Sequence, residues 1–109
     1  MNFIKKSFLI LSVLSLFYLN SFSANACSVK IGSFDWDSAN IHSTIASYIL
    51  ENGYDCDVEI TKGRTNPILA SLIDNKIDII FEHWADNNVA LIEPELNSGN
   101  LVDLGINTP

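Results

Sequence analysis

The chain alternates short apolar segments with longer amphipathic ones, and this order limits the folds that are open to it. The sequence predicts β-strands over residues 29–33, 56–61, 77–81 and 101–105. It predicts helices over residues 38–53, 67–75 and 87–99. Strands that alternate with helices usually form a parallel sheet with right-handed crossovers. We therefore expect an α/β fold with the order β-α-β-α-β-α-β.

The first predicted helix has one apolar face. Ile41, Ile45 and Ile49 recur at every fourth position, a spacing that places side chains on the same side of a helix. Ser38 precedes this pattern and is a suitable N-cap, whereas Gly53 follows it and is a suitable left-handed stop. The pattern indicates an amphipathic helix over residues 38–53.

The first 26 residues have the composition of a secretory signal peptide. Lys5 and Lys6 form a basic start, and residues 7–19 form an apolar run that is short for a membrane span. Ala24 and Ala26 then provide the small residues of a cleavage site. We expect residues 1–26 to be removed during export to the periplasm, and an uncleaved membrane anchor is the alternative.

Two cysteines remain after residue 26, and two fates are open to them. In an oxidising compartment two cysteines are more often paired than free, which favours a disulfide between Cys27 and Cys56. Cleavage after Ala26 would also leave Cys27 at the mature N-terminus, where a lipoprotein carries its lipid. Ala24 stands where a lipobox usually has a Leu-like residue, so we expect the disulfide, with lipidation of Cys27 as the alternative.

The predicted mature chain is strongly acidic. All thirteen Asp and Glu residues follow residue 26, together with only four Lys and Arg residues, so the net charge of this part is −9. This charge argues against nucleic acid and against anionic membrane surfaces as partners. It is compatible with a cationic or zwitterionic small ligand, and also with a role in solubility alone.

Both tryptophans fall in loops that follow predicted strands. Trp36 lies in the loop after the first strand and Trp84 in the loop after the third. In parallel sheets, ligands bind outside the carboxyl ends of the strands, so both rings are expected at the binding edge. A quaternary ammonium group has no N–H to donate, but aromatic faces attract it through cation–π interactions. The alternative is that Trp84 packs under a helix and Trp36 is a surface aromatic.

Charged and polar groups accompany the two rings. Asp37 and Glu82 could supply negative charge to an organic cation, as could Asp35. The predicted helix starts near Ser38 and Thr65 direct backbone N–H groups to the same edge, where they could bind a carboxylate. An aromatic site for a cation beside an anion-binding helix end suits a betaine.

Lys62 and Arg64, in the loop after the second strand, could also contribute to an anionic end of the site. The alternative for each is a solvated loop charge.

Enzyme motifs are absent from the sequence. It has no H-E-x-x-H or C-x-x-C metal spacing, no G-x-S-x-G turn and no phosphate-binding loop. Glu82 and His83 are adjacent, so in a strand they would point to opposite faces. We expect no enzymatic activity, no cofactor and no metal, with a carboxylate metal site at Asp35, Asp37 and Glu82 as the alternative.

Several short motifs occur in an order that resembles one protein family. IGSFDW after the first strand, LENGY before the second, ILASL and KIDI in the third unit, and FEHW at its end are similar to substrate-binding proteins of glycine betaine/choline/proline ABC transporters. The resemblance covers residues 28–109. It implies a type II periplasmic binding protein, in which two α/β lobes close on a ligand held in an aromatic cage.

The resemblance also implies roles for individual residues and for the chain. Trp84 matches a cage residue, and Trp36 matches a position where choline-binding members carry a cage tryptophan. The implied function is capture of a quaternary ammonium solute, glycine betaine, for uptake through an ABC transporter permease. Choline or another methylated amine is the alternative ligand, and the ligand-sensing lobe of a receptor is an alternative role. Residues 27–109 would be the N-terminal lobe, with the second lobe absent.

Overall fold

The computed structural model describes residues 27–106. The predicted signal peptide, residues 1–26, lies outside the described residues. The strands are β1 (Ser28–Phe34), β2 (Asp57–Gly63) and β3 (Ile79–Ile80). The helices are α1 (Asp37–Tyr54), α2 (Thr65–Ile73) and α3 (Val89–Ser98), and a short 3-10 helix (Ala85–Asn87) precedes α3.

The three strands form one parallel sheet with the order β2-β1-β3. Ser28 of β1 lies beside Asp57 of β2, and the pairing continues to the last residues of both strands. The shorter β3 pairs with the middle of β1, where Ile31 lies beside Ile79. This sheet alternates with helices along the chain, so the predicted α/β class is confirmed.

The central strand β1 is covered on both faces. Ile31, Gly32, Ser33 and Phe34 are consecutive and all buried, as expected for a strand inside a parallel sheet. A Cβ atom at Gly32 would lie 2.9 Å from side-chain atoms of Ile68 and of Ile80. Glycine at this position therefore allows α2 and β3 to approach β1 closely.

One apolar core lies around the end of β1. It joins that strand to the start of α1 and to the inner face of α2. It also includes helix α3 and the segment that precedes β3. Its buried members are Phe34, Ala39, Ile68, Leu69, Leu72, Ile77 and Ile92. Trp36, Ile80 and Leu101 are partly buried and pack against it. The core thus supports the sheet edge at which both predicted binding loops begin.

The face of helix α1 that packs against the sheet is not the predicted apolar face. Its predicted apolar face is exposed, since Ile41, Ile45 and Ile49 are 51–57% exposed. The buried face instead carries Ala39, Ser43 and Ser47, which also recur at every fourth position. Because these side chains are small, the helix can lie close to β1 and β2.

Both predicted caps of α1 are wrong. The N-cap is Trp36, and Ser38 lies inside the first turn. At the other end, Gly53 lies within the helix, and Asp55 is the left-handed C-cap with φ 55°. The Asp55 N–H group donates to the Leu50 carbonyl, a capping bond that stabilises this backbone conformation. Asp is among the residues that tolerate the left-handed region, so glycine is not required there.

The predicted fourth strand is absent from the described part of the chain. Residues 101–105 form no strand, and Val102 and Leu104 are 76% and 79% exposed. The alternation of apolar residues favours an extended conformation, but a strand also needs a neighbour for its backbone hydrogen bonds. Similarly, β3 covers only Ile79–Ile80 rather than residues 77–81, because its pairing with β1 is limited to two residues.

Cys27 and Cys56 form a disulfide, with their Cα atoms 4.5 Å apart. Each cysteine directly precedes a strand, so the bond joins β1 and β2 at the edge opposite the binding loops. Both sulfurs are used in this bond, which leaves none on Cys27 for a lipid. Within residues 27–106, none of the helices is long and apolar enough to cross a membrane.

Candidate functional site

An open cleft of about 340 Å³ lies at the carboxyl ends of β1 and β3, beside the first turns of α1 and α2. Its aromatic walls are Phe34, Trp36 and Trp84. Its polar walls are Ser38, Thr65, Glu82, His83, Asn87 and Asn88. The volume falls in the range of small-molecule sites in proteins. Four of the predicted site residues, Trp36, Ser38, Glu82 and Trp84, therefore line the same cleft.

Trp36 is fixed by two contacts. Its ring stacks on that of Phe34, with ring centres 4.6 Å apart and planes 9° from parallel. Its indole N–H donates to Glu82 Oε1 at 3.2 Å. Since Phe34 covers one face of the ring, only the opposite face is available to a ligand.

Glu82 is the acidic side chain in the cleft wall. Its Oε1 atom accepts hydrogen bonds from the Trp36 indole and from Ser38 Oγ, the latter at 2.7 Å. Its Oε2 atom lies 3.2 Å from Nδ1 of His42, an electrostatic contact without the alignment of a hydrogen bond. Only 11% of the Glu82 side chain is exposed, so protein groups surround the carboxylate.

These neighbours change the acidity of Glu82. The Ser38 hydrogen bond is the largest influence and holds the pKa of Glu82 below its ordinary value, against the opposing effect of burial. The Trp36 hydrogen bond, the His42 ring and the Trp84 indole lower that pKa further. The carboxylate is therefore ionised at neutral pH and gives the cleft a fixed negative charge.

Trp84 is much less constrained than Trp36. It lines the same cleft, but its side chain is 63% exposed. In the part of the chain that the structure describes, Phe34 and Trp36 are the only stacked ring pair. The two tryptophans thus border one cleft without forming a closed aromatic cluster.

His83 also lines the cleft, which the sequence analysis did not predict. The expectation that Glu82 and His83 point to opposite faces applies to a strand, and it does not apply here because residue 82 has left-handed backbone (φ 61°) and lies beyond β3. Both ring nitrogens of His83 are buried, and within residues 27–106 neither has a hydrogen-bond partner. Burial lowers the pKa of His83, and the charge of Asp103 acts in the opposite direction.

Other predicted residues lie outside the cleft walls. Asp37 is exposed in the first turn of α1, and Lys62 and Arg64 are exposed near the end of β2. Thr65, which follows Arg64, does line the cleft. Among residues 27–106, no three His, Cys, Asp or Glu side chains are grouped so that they could hold a metal ion. The site is therefore built from aromatic rings, one carboxylate and small polar groups.

Comparison with known proteins identifies the family of this chain. A family model described as the substrate-binding domain of the ABC-type glycine betaine transport system matches residues 27–107. Comparisons with curated proteins and with solved structures gave no match. The matched range includes the whole sheet, its helices and every residue of the cleft. The chain therefore belongs to the family of substrate-binding domains of ABC-type glycine betaine transport systems, which are binding components of transporters and not enzymes.

Proposed function

We propose that the cleft captures glycine betaine by its quaternary ammonium group and presents it to a transporter permease. Family membership implies a glycine betaine-type ligand and the other components of an ABC transporter. The observation that carries the proposal is the meeting of Trp36, Trp84 and the ionised Glu82 in one cleft. Rings and a carboxylate attract a cation that cannot donate a hydrogen bond.

The ammonium end would lie against the two indole rings. Each ring attracts a cation by about 0.5–2 kcal/mol, with the larger value where water is excluded. Trp36 offers one face because Phe34 covers the other, and Trp84 offers a largely exposed ring. The charge of Glu82 adds a Coulombic attraction at the same wall.

The carboxylate end would lie toward the helix starts. Ser38 and Thr65, in the first turns of α1 and α2, both line the cleft. Backbone N–H groups at helix starts favour an anion. This end distinguishes a betaine from a simple amine.

Choline is the second candidate ligand. It has the same trimethylammonium group but no carboxylate of its own. The fixed negative charge of Glu82 favours such a ligand, because a betaine carboxylate in the same cleft would be repelled. The ratio of the two affinities therefore measures which end of the ligand the cleft recognises.

We also propose a setting for this site in the cell. Residues 1–26 would direct export and be removed, which places the domain in the periplasm, and binding proteins of ABC importers are typically extracytoplasmic. Residues 27–109 would form the N-terminal lobe of a two-lobed protein, with the second lobe closing over the cleft. The disulfide and the open cleft with its exposed Trp84 support this proposal.

Substitution of the two tryptophans tests the proposal. We expect Trp36→Ala and Trp84→Ala each to weaken glycine betaine binding by between about twofold and thirtyfold, because each variant loses one cation–π contact. A titration monitored by NMR chemical shifts of the backbone amides measures dissociation constants as weak as millimolar. Tyr48→Ala, which removes an aromatic ring 67% exposed on α1, is the matched control and should leave the affinity unchanged. Unchanged affinity in both tryptophan variants would contradict the proposal.

A further inference from the structure

We infer that Glu82 is a positioning residue that holds the Trp36 ring in the cleft wall, and that it acts on the ligand through this ring rather than by direct contact. The inference rests on the proposed role of Trp36 in binding the cation. It assigns Glu82 a structural role in addition to the negative charge that it gives the cleft.

Both carboxylate oxygens of Glu82 are directed at protein groups. Oε1 accepts from Trp36 Nε1 at 3.2 Å and from Ser38 Oγ at 2.7 Å. Oε2 faces His42 Nδ1 at 3.2 Å. With 11% of the side chain exposed, little of the carboxylate surface is left for a ligand. These contacts suit a group that orders its neighbours.

Two contacts together determine the orientation of the Trp36 ring. Stacking on Phe34 sets the plane of the indole, but a stacked ring can still slide and turn within that plane. The hydrogen bond from Nε1 to Glu82 removes this freedom because it is directional. Without Glu82, the open face of the ring would no longer have a single position in the cleft.

The same side chain connects two parts of the fold. Ser38 and His42 belong to α1, whereas Glu82 follows β3 in the loop that carries Trp84. The left-handed backbone of residue 82 is disfavoured for any residue with a Cβ atom. Such a conformation persists where the surroundings require a particular side-chain direction. Here it directs the carboxylate toward Trp36 and the first turns of α1.

A fluorescence experiment without ligand tests the contact itself. The chain has two tryptophans, so in a Trp84→Phe background all tryptophan emission comes from Trp36. We expect Glu82→Ala to raise quenching by acrylamide at least about twofold, because the ring loses a charge-assisted hydrogen bond. Glu82→Gln should stay near the parent value, since its amide oxygen can still accept from the indole. Equal quenching in the parent and in Glu82→Ala would overturn the inference.

A double-mutant cycle then tests the route to the ligand. We expect Glu82→Ala to weaken glycine betaine binding by about tenfold in the parent chain, and by less than about twofold in a Trp36→Ala background. Glu82→Gln should have an affinity for glycine betaine within about threefold of the parent, because its amide oxygen can keep the hydrogen bond to Trp36 without the charge. Asp86→Ala removes an exposed carboxylate outside the cleft wall and serves as the charge control.

A direct counter-charge would behave differently. Glu82→Gln and Glu82→Ala would then weaken binding equally, and the loss would persist in the Trp36→Ala background, which would overturn the inference. Failure of the proposed function is separate, because it would appear as unchanged affinity in both Trp36→Ala and Trp84→Ala when Glu82 is intact. Thermal melts followed by far-ultraviolet circular dichroism establish that each variant is folded.

Discussion

At the scale of single residues, the two tryptophans of the cleft are held very differently. Trp36 is stacked on Phe34 and hydrogen-bonded to Glu82, so its position is set before any ligand arrives. Trp84 is 63% exposed, so fewer protein groups surround its ring. The cleft therefore combines one ring that is held by two contacts with one ring that is largely exposed.

Two titratable groups of the cleft predict how stability depends on pH. The pKa of His83 is below its ordinary value of 6.5, so the unfolded chain binds a proton first and stability falls as the pH falls below about 6.5. The pKa of Glu82 is below its ordinary value of 4.5, so its contribution is complete above about 4.5 and is lost as the pH falls further. Urea unfolding at a series of pH values measures both steps.

Matched variants separate these two steps. His83→Phe should remove the loss of stability that begins near pH 6.5 and leave the lower step in place. Glu82→Gln should remove the lower step and leave the upper one. The account is contradicted if acid increases the stability of the parent chain, or if neither variant changes the profile.

The sequence predicted part of this site. In parallel sheets, ligands bind at the carboxyl ends of the strands, and this rule predicted that both tryptophans, Ser38 and Glu82 lie at one edge. The structure places all four in one cleft. The rule missed His83, because alternation along a strand does not apply beyond a left-handed residue. The conformation of Glu82 depends on Ser38 and Trp36, which are distant in sequence, so local propensity does not reveal it.

At the scale of secondary-structure elements, spacing between β1 and its neighbours controls the packing. Gly32→Ala should lower the free energy of unfolding by about 1–3 kcal/mol, because its methyl group would lie within 3 Å of rigid, branched isoleucine atoms. Gly53→Ala is the matched control, since Gly53 lies within α1 with open space around it and should gain up to about 1 kcal/mol. Chemical denaturation measures both changes, and a neutral Gly32→Ala would contradict the close approach.

Helix α1 makes a second prediction at this scale. Ile45 is 53% exposed, so Ile45→Gln should change the free energy of unfolding by less than about 0.5 kcal/mol. Leu69 of α2 is fully buried, and Leu69→Ala should cost about 2–5 kcal/mol. If Ile45→Gln proves as costly as Leu69→Ala, the apolar face of α1 is covered in the protein.

The contrast between these helices shows what an amphipathic pattern can predict. The four-residue spacing of Ile41, Ile45 and Ile49 indicated a helix, and the helix is present. It did not indicate which face packs, because Ala39, Ser43 and Ser47 follow the same spacing on another side. The choice depends on the distance between helix and sheet, a tertiary property that no short segment encodes.

At the scale of the whole molecule, the order of elements predicted the parallel α/β sheet, and the fourth strand was the error. Strand–helix alternation and the crossover rule determine topology without knowledge of side-chain detail. Val102 and Leu104 have the alternation of a strand, but the part of the chain that the structure describes has no strand beside them, and they are 76% and 79% exposed. Strand formation is thus decided by the surrounding sheet.

The disulfide is the covalent link within this architecture. It closes a loop with a sequence separation of 29 residues, so its removal should lower the free energy of unfolding by about 3–4 kcal/mol in the chain-entropy model. The double variant Cys27→Ser and Cys56→Ser avoids a free thiol, and chemical denaturation compares it with the parent chain. A loss below about 1 kcal/mol would contradict a stabilising bond between β1 and β2.

The central claim is that the cleft recognises the positive charge of a quaternary ammonium group. The most direct test compares the dissociation constant of glycine betaine with that of its carbon analogue, in which a tert-butyl group replaces trimethylammonium. The two ligands have the same shape and the same carboxylate and differ in the cationic charge alone. We predict that glycine betaine binds at least about tenfold more tightly, because the two indole rings together attract only the charged group. Equal affinity for the two ligands would contradict the account.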